Sequence, residues 1–353
     1  MKKILIAFLV VFGVVLIGYQ YNKSSEPETV QKPNVLVLAH TTGAGAASAA
    51  LKKSLDTFKL NNPDLSFNMI LMDTQAMPNI AVSTLRQQMA LRKIDLVIAF
   101  LDNVVEAILP IAHHEGTFVM GMYCETQSLT GPNDLKNVQY FSTKGSDIFA
   151  PMGRFLKKRA QNIAVLYTGD TYGDAGFKVL EKEYSDEEHK IVFSDSYPLQ
   201  EFNVRDLVQK TISFKPDAIA VIGYGSGYEN IFRLLKQYKY EGIVLSDSVT
   251  ARLDTYNRLD GALEGVYLPF VKVINQEKYD ATNLHSYPDL LSYDGLNYVN
   301  EAFKNGTPFT QDEFQKKGKY ENIVITNFLE NGQSSTDMQM GVWKDGKIVP
   351  LEE

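Results

Sequence analysis

Short apolar runs alternate along the chain with longer segments whose apolar positions recur at helical spacing. Asn34–Ala39 (NVLVLA), Ser66–Met72, Asp95–Phe100, Phe118–Met122 and Val138–Ser142 are continuous enough to read as buried strands. Ala46–Phe58, Asn79–Arg92 and Glu106–His114 read as the helices between them. After Ser142 the cycle restarts with helix Ile148–Lys158, strand Asn162–Tyr167, helix Ala175–Tyr184, strand Ile191–Tyr197 and helix Val204–Ser213. A complete strand, loop, helix and strand unit follows within Lys215–Ser248. Its strand is Asp217–Ile222, its turn is the glycine-rich Gly223–Gly227 carrying Tyr224, its helix is Ile231–Tyr238, and its last strand stops at Ser246-Asp247-Ser248. Gly265–Phe270 reads as a strand that crosses between the two halves, Asp294–Lys304 as a helix, and Ile323–Val349 as short strands with turns at Glu330–Gly332 and Lys344–Gly346.

Strands without polar alternation, each followed by a helix, imply parallel sheets covered on both faces. The expected fold class is α/β with two mostly parallel sheets, one per half of the chain. At 353 residues the chain suits two lobes better than one core. Ligands of such sheets bind beyond the carboxyl ends of the strands, so the two sets of strand ends define the place to look for function.

Composition narrows the function. The net charge of −7 and the lack of a basic stripe exclude a nucleic-acid partner, which would need cations to displace counterions from phosphates. One cysteine, Cys124, excludes an internal disulfide and any CxxC metal site, and is expected as a small buried residue. Lys2 and Lys3 precede the apolar run Ile4–Tyr19, an export signal or membrane anchor. The flank has no small-x-small cleavage site and no cysteine for lipidation. That favours an uncleaved anchor with Gln20–Lys32 as a polar tether and the folded part outside the membrane.

Candidate chemistry gathers at strand ends. Asp102 and Asn103 follow one strand, Cys124–Thr130 (CETQSLT) continues another in polar residues where a core would be apolar, and Tyr172 and Tyr224 follow two strands of the second half. Threonines and amides of the CETQSLT segment suit a carboxylate or another acceptor-rich group, whereas Asp102 suits an ammonium group. Tyr224, among glycines, is expected to pack on a ligand. Gly43-x-Gly45-x-x-Ser48 lacks the third glycine of a dinucleotide loop, and no cofactor is expected. His113 and His114, adjacent on a helix, point about 100° apart and cannot share a metal. Ser226 has no glycine two residues before it, there is no phosphate-binding GKS or GKT, and no nucleophile–base pair emerges, so the reading is not an enzyme.

Taken in order, NVQYFSTKGSD (137–147), NIAVLYTGDTYGDAG (162–176), Phe202–Lys210 with KPDAIAVIGYGSGYENIFRLLKQ, Ser292-Tyr293-Asp294 and FLENGQSSTDMQMGVWKDGKIVPL from Phe328 resemble the type I periplasmic solute-binding proteins, in the branch of the leucine/isoleucine/valine-binding proteins of ABC importers. The resemblance implies a two-lobed clamp with three crossovers that closes on a small ligand. The lobes would be 33–141 with 271–320, and 142–270 with 321–353, behind an N-terminal segment 1–32. It also implies that Tyr172 and Tyr224 are ligand-facing aromatics, that Asp247 meets a ligand ammonium, and that Thr126 lies near the hydroxyl holding an α-carboxylate. Here the chain departs from the family, which favours small residues where Leu101 and Asp102 stand and has no equivalent of Glu125. With Asp102, Asn103, Glu125, Thr126, Tyr172, Tyr224 and Asp247 as the expected ligand set, an amide, a cationic compound or a polyol competes with a plain aliphatic amino acid.

Two roles fit: capture of a small polar ligand for an ABC permease, or a membrane-tethered sensor that reports the same ligand to a signalling partner.

Overall fold

The structure, a computed structural model, describes residues 31–43, 46–124, 137–199, 203–282, 284, 287–310, 312–313, 316, 323–324, 327–328 and 334–352. In chain order the first group of elements is β1 (Asn34–Ala39), α1 (Ala46–Asn61), β2 (Asn68–Asp73), α2 (Pro78–Leu91), β3 (Leu96–Phe100), α3 (Asp102–His114), β4 (Phe118–Met122) and β5 (Val138–Phe141). The second is α4 (Gly145–Lys157), β6 (Asn162–Thr168), α5 (Thr171–Tyr184), β7 (Lys190–Tyr197), α6 (Arg205–Ser213), β8 (Ala218–Ile222), α7 (Gly225–Gln237) and β9 (Ile243–Ser246). The remainder is α8 (Leu253–Arg258), β10 (Tyr267–Val271), α9 (Gln276–Thr282), α10 (Tyr287–Lys304), β11 (Asn327–Phe328), β12 (Ser334–Ser335), β13 (Met338–Lys344) and β14 (Lys347–Pro350).

β1 to β5 form a parallel sheet in the order β2-β1-β3-β4-β5, and a second sheet runs β14-β13-β10-β9-β8-β6-β7. The apolar runs divide their side chains between two cores, as strand geometry requires. Val35, Val37 and Ala39 face one cluster, with Leu51, Leu55 and residues of α10, while Leu36 and Leu38 face another, with α2 and α3. In β8, Ile219 and Val221 pack toward α6 and α7, and Ala218, Ala220 and Ile222 toward α4 and α5. Burying one such aliphatic side chain contributes about 1.5 to 3 kcal/mol, so both faces of each sheet are held mainly by this term.

Helices begin earlier than their apolar period suggests. α3, α5 and α7 start within two or three residues of the preceding strand, so Asp102, Asn103 and Tyr172 sit in first helical turns and the supposed glycine turn 223–227 is largely the start of α7. The first turn has no carbonyl partners behind it and faces the strand ends, where polar and aromatic residues replace the core pattern. Two glycines are obligatory there. Gly223 (φ +138°) and Gly225 (φ +88°) occupy left-handed backbone, and a Cβ on Gly225 would lie 2.5 Å from the Leu199 carbonyl oxygen.

Tyr267–Val271 does not cross between the halves. It lies inside the second sheet, parallel to β9 and antiparallel to β13, and the chain crosses just after it. β13 and β14 form a hairpin whose Asp345 and Gly346 both have positive φ, the turn that suits strand twist. The turn expected at Glu330–Gly332 lies outside the described residues, as does Ile4–Tyr19. Among the described residues no helix is long and apolar enough to cross a membrane.

The chain passes between the two sheets three times: after β5, after β10 toward α10, and back to β13. α10 belongs to the first sheet, where Asn61 Nδ2 donates to Tyr293 Oη (3.0 Å) and Ser54 Oγ to the Asp289 carbonyl (3.2 Å). The three passages are tied to one another. Ser334 Oγ donates to the Ser142 carbonyl (3.1 Å), the Thr143 and Thr336 hydroxyls are hydrogen-bonded, the Lys272 N–H donates to the Asp337 carbonyl (2.8 Å) and that of Ile274 to Ile323 (3.0 Å).

Asp294 anchors this region from α10. Its buried carboxylate accepts from the N–H groups of Ile323 (3.0 Å) and Val324 (2.9 Å). Asp294→Ala strands two buried N–H donors, and hydrogen bonds to a charged group contribute about 1.5 to 3 kcal/mol each. The expected loss in urea unfolding is about 2 to 4 kcal/mol, and a change within about 0.5 kcal/mol would show that the anchor is dispensable.

Candidate functional site

The carboxyl ends of the parallel strands from both sheets converge on one cavity of about 790 Å³, its open mouth included. His40 follows β1, Leu101 to Asn103 follow β3, and Tyr123 follows β4. From the other side come Asp170 to Tyr172 after β6, Tyr224 after β8, and Ser248, Val249 and Arg252 after β9. Six strand ends therefore supply the lining among the described residues, at the position where open α/β sheets bind ligands.

The second wall is held by two carboxylates. Asp170 caps α5 by accepting from the Gly173 N–H (2.9 Å), takes the Thr168 hydroxyl on the same oxygen (2.9 Å), and accepts the Tyr224 hydroxyl on the other (2.7 Å). Asp247 has no exposed surface. Its Oδ2 accepts from the Gly223 N–H (2.7 Å) and Tyr172 Oη (3.2 Å), and its Oδ1 from Tyr228 Oη (2.7 Å) and the Val249 N–H (3.1 Å). Tyr172 and Tyr224 meet edge to face with centroids 5.9 Å apart, and Phe149 supports Tyr172 from behind at 5.5 Å. Both rings are thus fixed by hydroxyl and edge contacts before any ligand arrives.

The first wall is different. Phe100, Tyr123 and His40 form an aromatic cluster with centroid separations of 5.3, 6.0 and 6.2 Å. Tyr123 shares a hydrogen bond with Ser292 Oγ of α10 (2.7 Å). Leu101 (φ 80°) and Tyr123 (φ 57°) are non-glycine residues in positive-φ backbone, a strain of about 1 to 3 kcal/mol each that gathers at functional sites. His40 is 1% exposed, and neither ring nitrogen has a hydrogen-bond partner among the described residues; the same holds for Asn103 Oδ1. Burial lowers the His40 pKa to about 4 against the opposing pull of Asp73, so the ring is neutral at pH 7.

Of the residues expected from sequence, Asp102, Asn103, Tyr172 and Tyr224 come together in the cavity lining. Asp247 stands behind the wall: its carboxylate meets Tyr172, Tyr228 and two backbone N–H groups where a ligand ammonium was expected. Tyr224 is less isolated than its glycine neighbours suggest, since Tyr172 and Asp170 hold it. Glu125 and Thr126 lie outside the described residues. Cys124 is buried, its N–H donating to Ser142 Oγ (2.9 Å). The sequence reading missed His40, Tyr123, Asp170 and Arg252. His40 carried the signal used for Asp102, a polar residue closing an apolar strand. Arg252, 5% exposed, was obscured by its distance from β9; it donates to Asp254 through Nε (3.2 Å) and Nη2 (3.0 Å).

The Asp247 arrangement makes a prediction about an isosteric change. Whichever end of the amide points inward, Asp247→Asn turns an NH₂ toward a backbone N–H, Gly223 on one side or Val249 on the other. The expected loss is about 1 to 3 kcal/mol in denaturant unfolding. Burial, acting against the four hydrogen bonds, pushes the Asp247 carboxyl from 3.8 up to about 6. Between those values the folded protein holds a proton that the unfolded chain has released, so this contribution to stability is complete at low pH and falls as pH rises through about 6. The Asn variant should lack that slope between pH 4 and 6. Parallel stability–pH curves for the two proteins would contradict the assignment.

The periplasmic binding protein family model matches residues 42–347. No curated protein matches the chain by sequence. Among solved structures, the leucine-binding protein of Thermotoga maritima is similar at 16% identity and a TM-score of 0.73, covering 91% of this chain and 98% of that one. A solute-binding protein of an ABC transporter from R. palustris, in complex with benzoate, aligns at 13% identity and a TM-score of 0.78, covering 91% and 95%. The branched-chain amino acid transporter substrate-binding protein of Streptococcus pneumoniae, in complex with isoleucine, aligns at 13% identity and 0.74, covering 91% and 100%. At these identities the structures speak for the two-lobed fold, and the family match over most of the chain gives the affiliation: this chain belongs to the periplasmic binding proteins.

Proposed function

We propose that this protein captures one small polar molecule in the cleft between its two sheets, by hinge closure, and hands it to an ABC importer at the outer face of the membrane. The observation that carries the reading is the convergence of six strand ends on one tyrosine-lined cavity. Three tied passages between the sheets provide a hinge of the kind that moves two rigid bodies with little internal change. Solved proteins of the same fold, named as solute-binding components of ABC or amino acid transporters, hold benzoate and isoleucine, which supports a ligand of that size.

A second reading, a tethered sensor signalling to a membrane partner, is favoured by one feature of the sequence: the flank of Ile4–Tyr19 carries no small-x-small cleavage site. The intact mass of the mature protein from its native membrane distinguishes a retained segment from a removed one. Co-purification with a permease or with a signalling protein then separates the two roles.

The capture step is tested by calorimetry against amino acids, amides, polyamines, polyols and aromatic acids, with small-angle scattering to detect compaction on binding. Silence toward every class would count against the reading. Tyr224→Ala removes a ring fixed in the wall and should weaken binding by about 1 to 3 kcal/mol. Unchanged affinity would take Tyr224 out of the contact surface.

A further inference from the structure

His40 and Asn103 set a condition on the ligand that the rest of the cavity does not. A neutral imidazole offers one N–H donor and one lone pair, and a carboxamide likewise offers both functions. His40 keeps both ring nitrogens buried with no partner among the described residues, and Asn103 keeps its Oδ1 in the same state. Both residues line the cavity from the first wall. Burying such groups without a hydrogen bond is unfavourable, and native proteins rarely leave them so without a functional reason.

The complement must donate and accept together. A carboxylate satisfies the imidazole N–H but offers nothing to the lone pair, and an ammonium group does the reverse. A hydroxyl does both at a single atom and brings no formal charge. Charge disfavours an anion, and the Asp170 carboxylate already accepts from Gly173, Thr168 and Tyr224. Acidic side chains stand on both walls, Asp102 and Asp170, and the one cation in the described lining, Arg252, is already matched by two hydrogen bonds to Asp254. The described lining also presents Tyr123, Tyr172, Tyr224, Leu101 and Val249, a surface suited to the face of a ring.

We propose that His40 and Asn103 recognise hydroxyl groups, so that the cleft takes an uncharged, hydroxylated ring compound in preference to an amino acid or a carboxylic acid. This specificity rests on the capture function proposed above.

The test uses the full-length chain and a fixed set of probes: catechol, myo-inositol and D-ribose as hydroxylated compounds, benzoate and L-leucine as carboxylates, and putrescine as a cation. Calorimetry should find binding among the first three. His40→Phe keeps an aromatic ring beside Phe100 and Tyr123 and removes both nitrogens. It should weaken the hydroxylated probe at least tenfold while the melting temperature without ligand stays equal or rises, because two unpaired groups leave the interior. Asn103→Leu, at the start of α3, should weaken the same probe at least fivefold and carries the test if His40→Phe does not fold. Binding confined to charged probes would overturn the proposal and leave the capture function standing, as would a hydroxylated probe whose affinity neither variant changes. Silence toward all six probes overturns it too, and then the wider panel of amino acids, amides and polyamines decides whether the capture function falls with it.

Discussion

Asp247 lies out of contact with solvent, and four donors from three different segments converge on its two oxygens: Tyr172 at the start of α5, Gly223 and Tyr228 on either side of the start of α7, and Val249 beyond β9. A buried carboxylate of this kind is unfavourable unless its acceptor sites are filled, so the three segments cannot drift apart singly. Because all three begin at neighbouring strand ends, satisfying the carboxylate also fixes the shape of the second wall. Tyr224, held through Asp170, completes it.

The two walls therefore play unequal parts. The second is preorganised: the Tyr172 and Tyr224 hydroxyls are paired within the protein and their rings are set in position, which reduces the ordering that binding must accomplish. The first keeps polar atoms of His40 and Asn103 that have no partner among the described residues, beside strained backbone at Leu101 and Tyr123. Affinity for a flat body can come from one wall and discrimination between functional groups from the other.

The fold was readable because its strands are uninterrupted apolar runs, and a run buried on both faces has few alternatives to a covered parallel sheet. The site was readable only in part, for a related reason. Asp102, Asn103, Tyr172 and Tyr224 stood out as polar or aromatic residues just past strands, and the structure brings them to one cavity. His40 occupies the same kind of position but sits one residue before a glycine-rich loop that drew attention to phosphate chemistry. Asp247 was expected at the ligand from the resemblance alone. Its partners, Tyr228 on α7 and the backbone of Gly223 and Val249, depend on how segments dock, which no local pattern encodes. Helix starts were read late because the apolar period stops where a helix meets the cleft, which is also why those turns carry the chemistry.

The hydrogen bonds joining Ser142, Thr143, Ser334, Thr336, Lys272 and Asp337 bind the three passages into a single strap. The closure proposed for the cleft would have to bend all three passages together, because these hydrogen bonds join them. Measured affinity is the intrinsic affinity scaled by the fraction of molecules in the competent state. Under the proposed closure, a substitution at Thr336, which is not among the described lining residues, would change the measured affinity while every described lining residue stays in place.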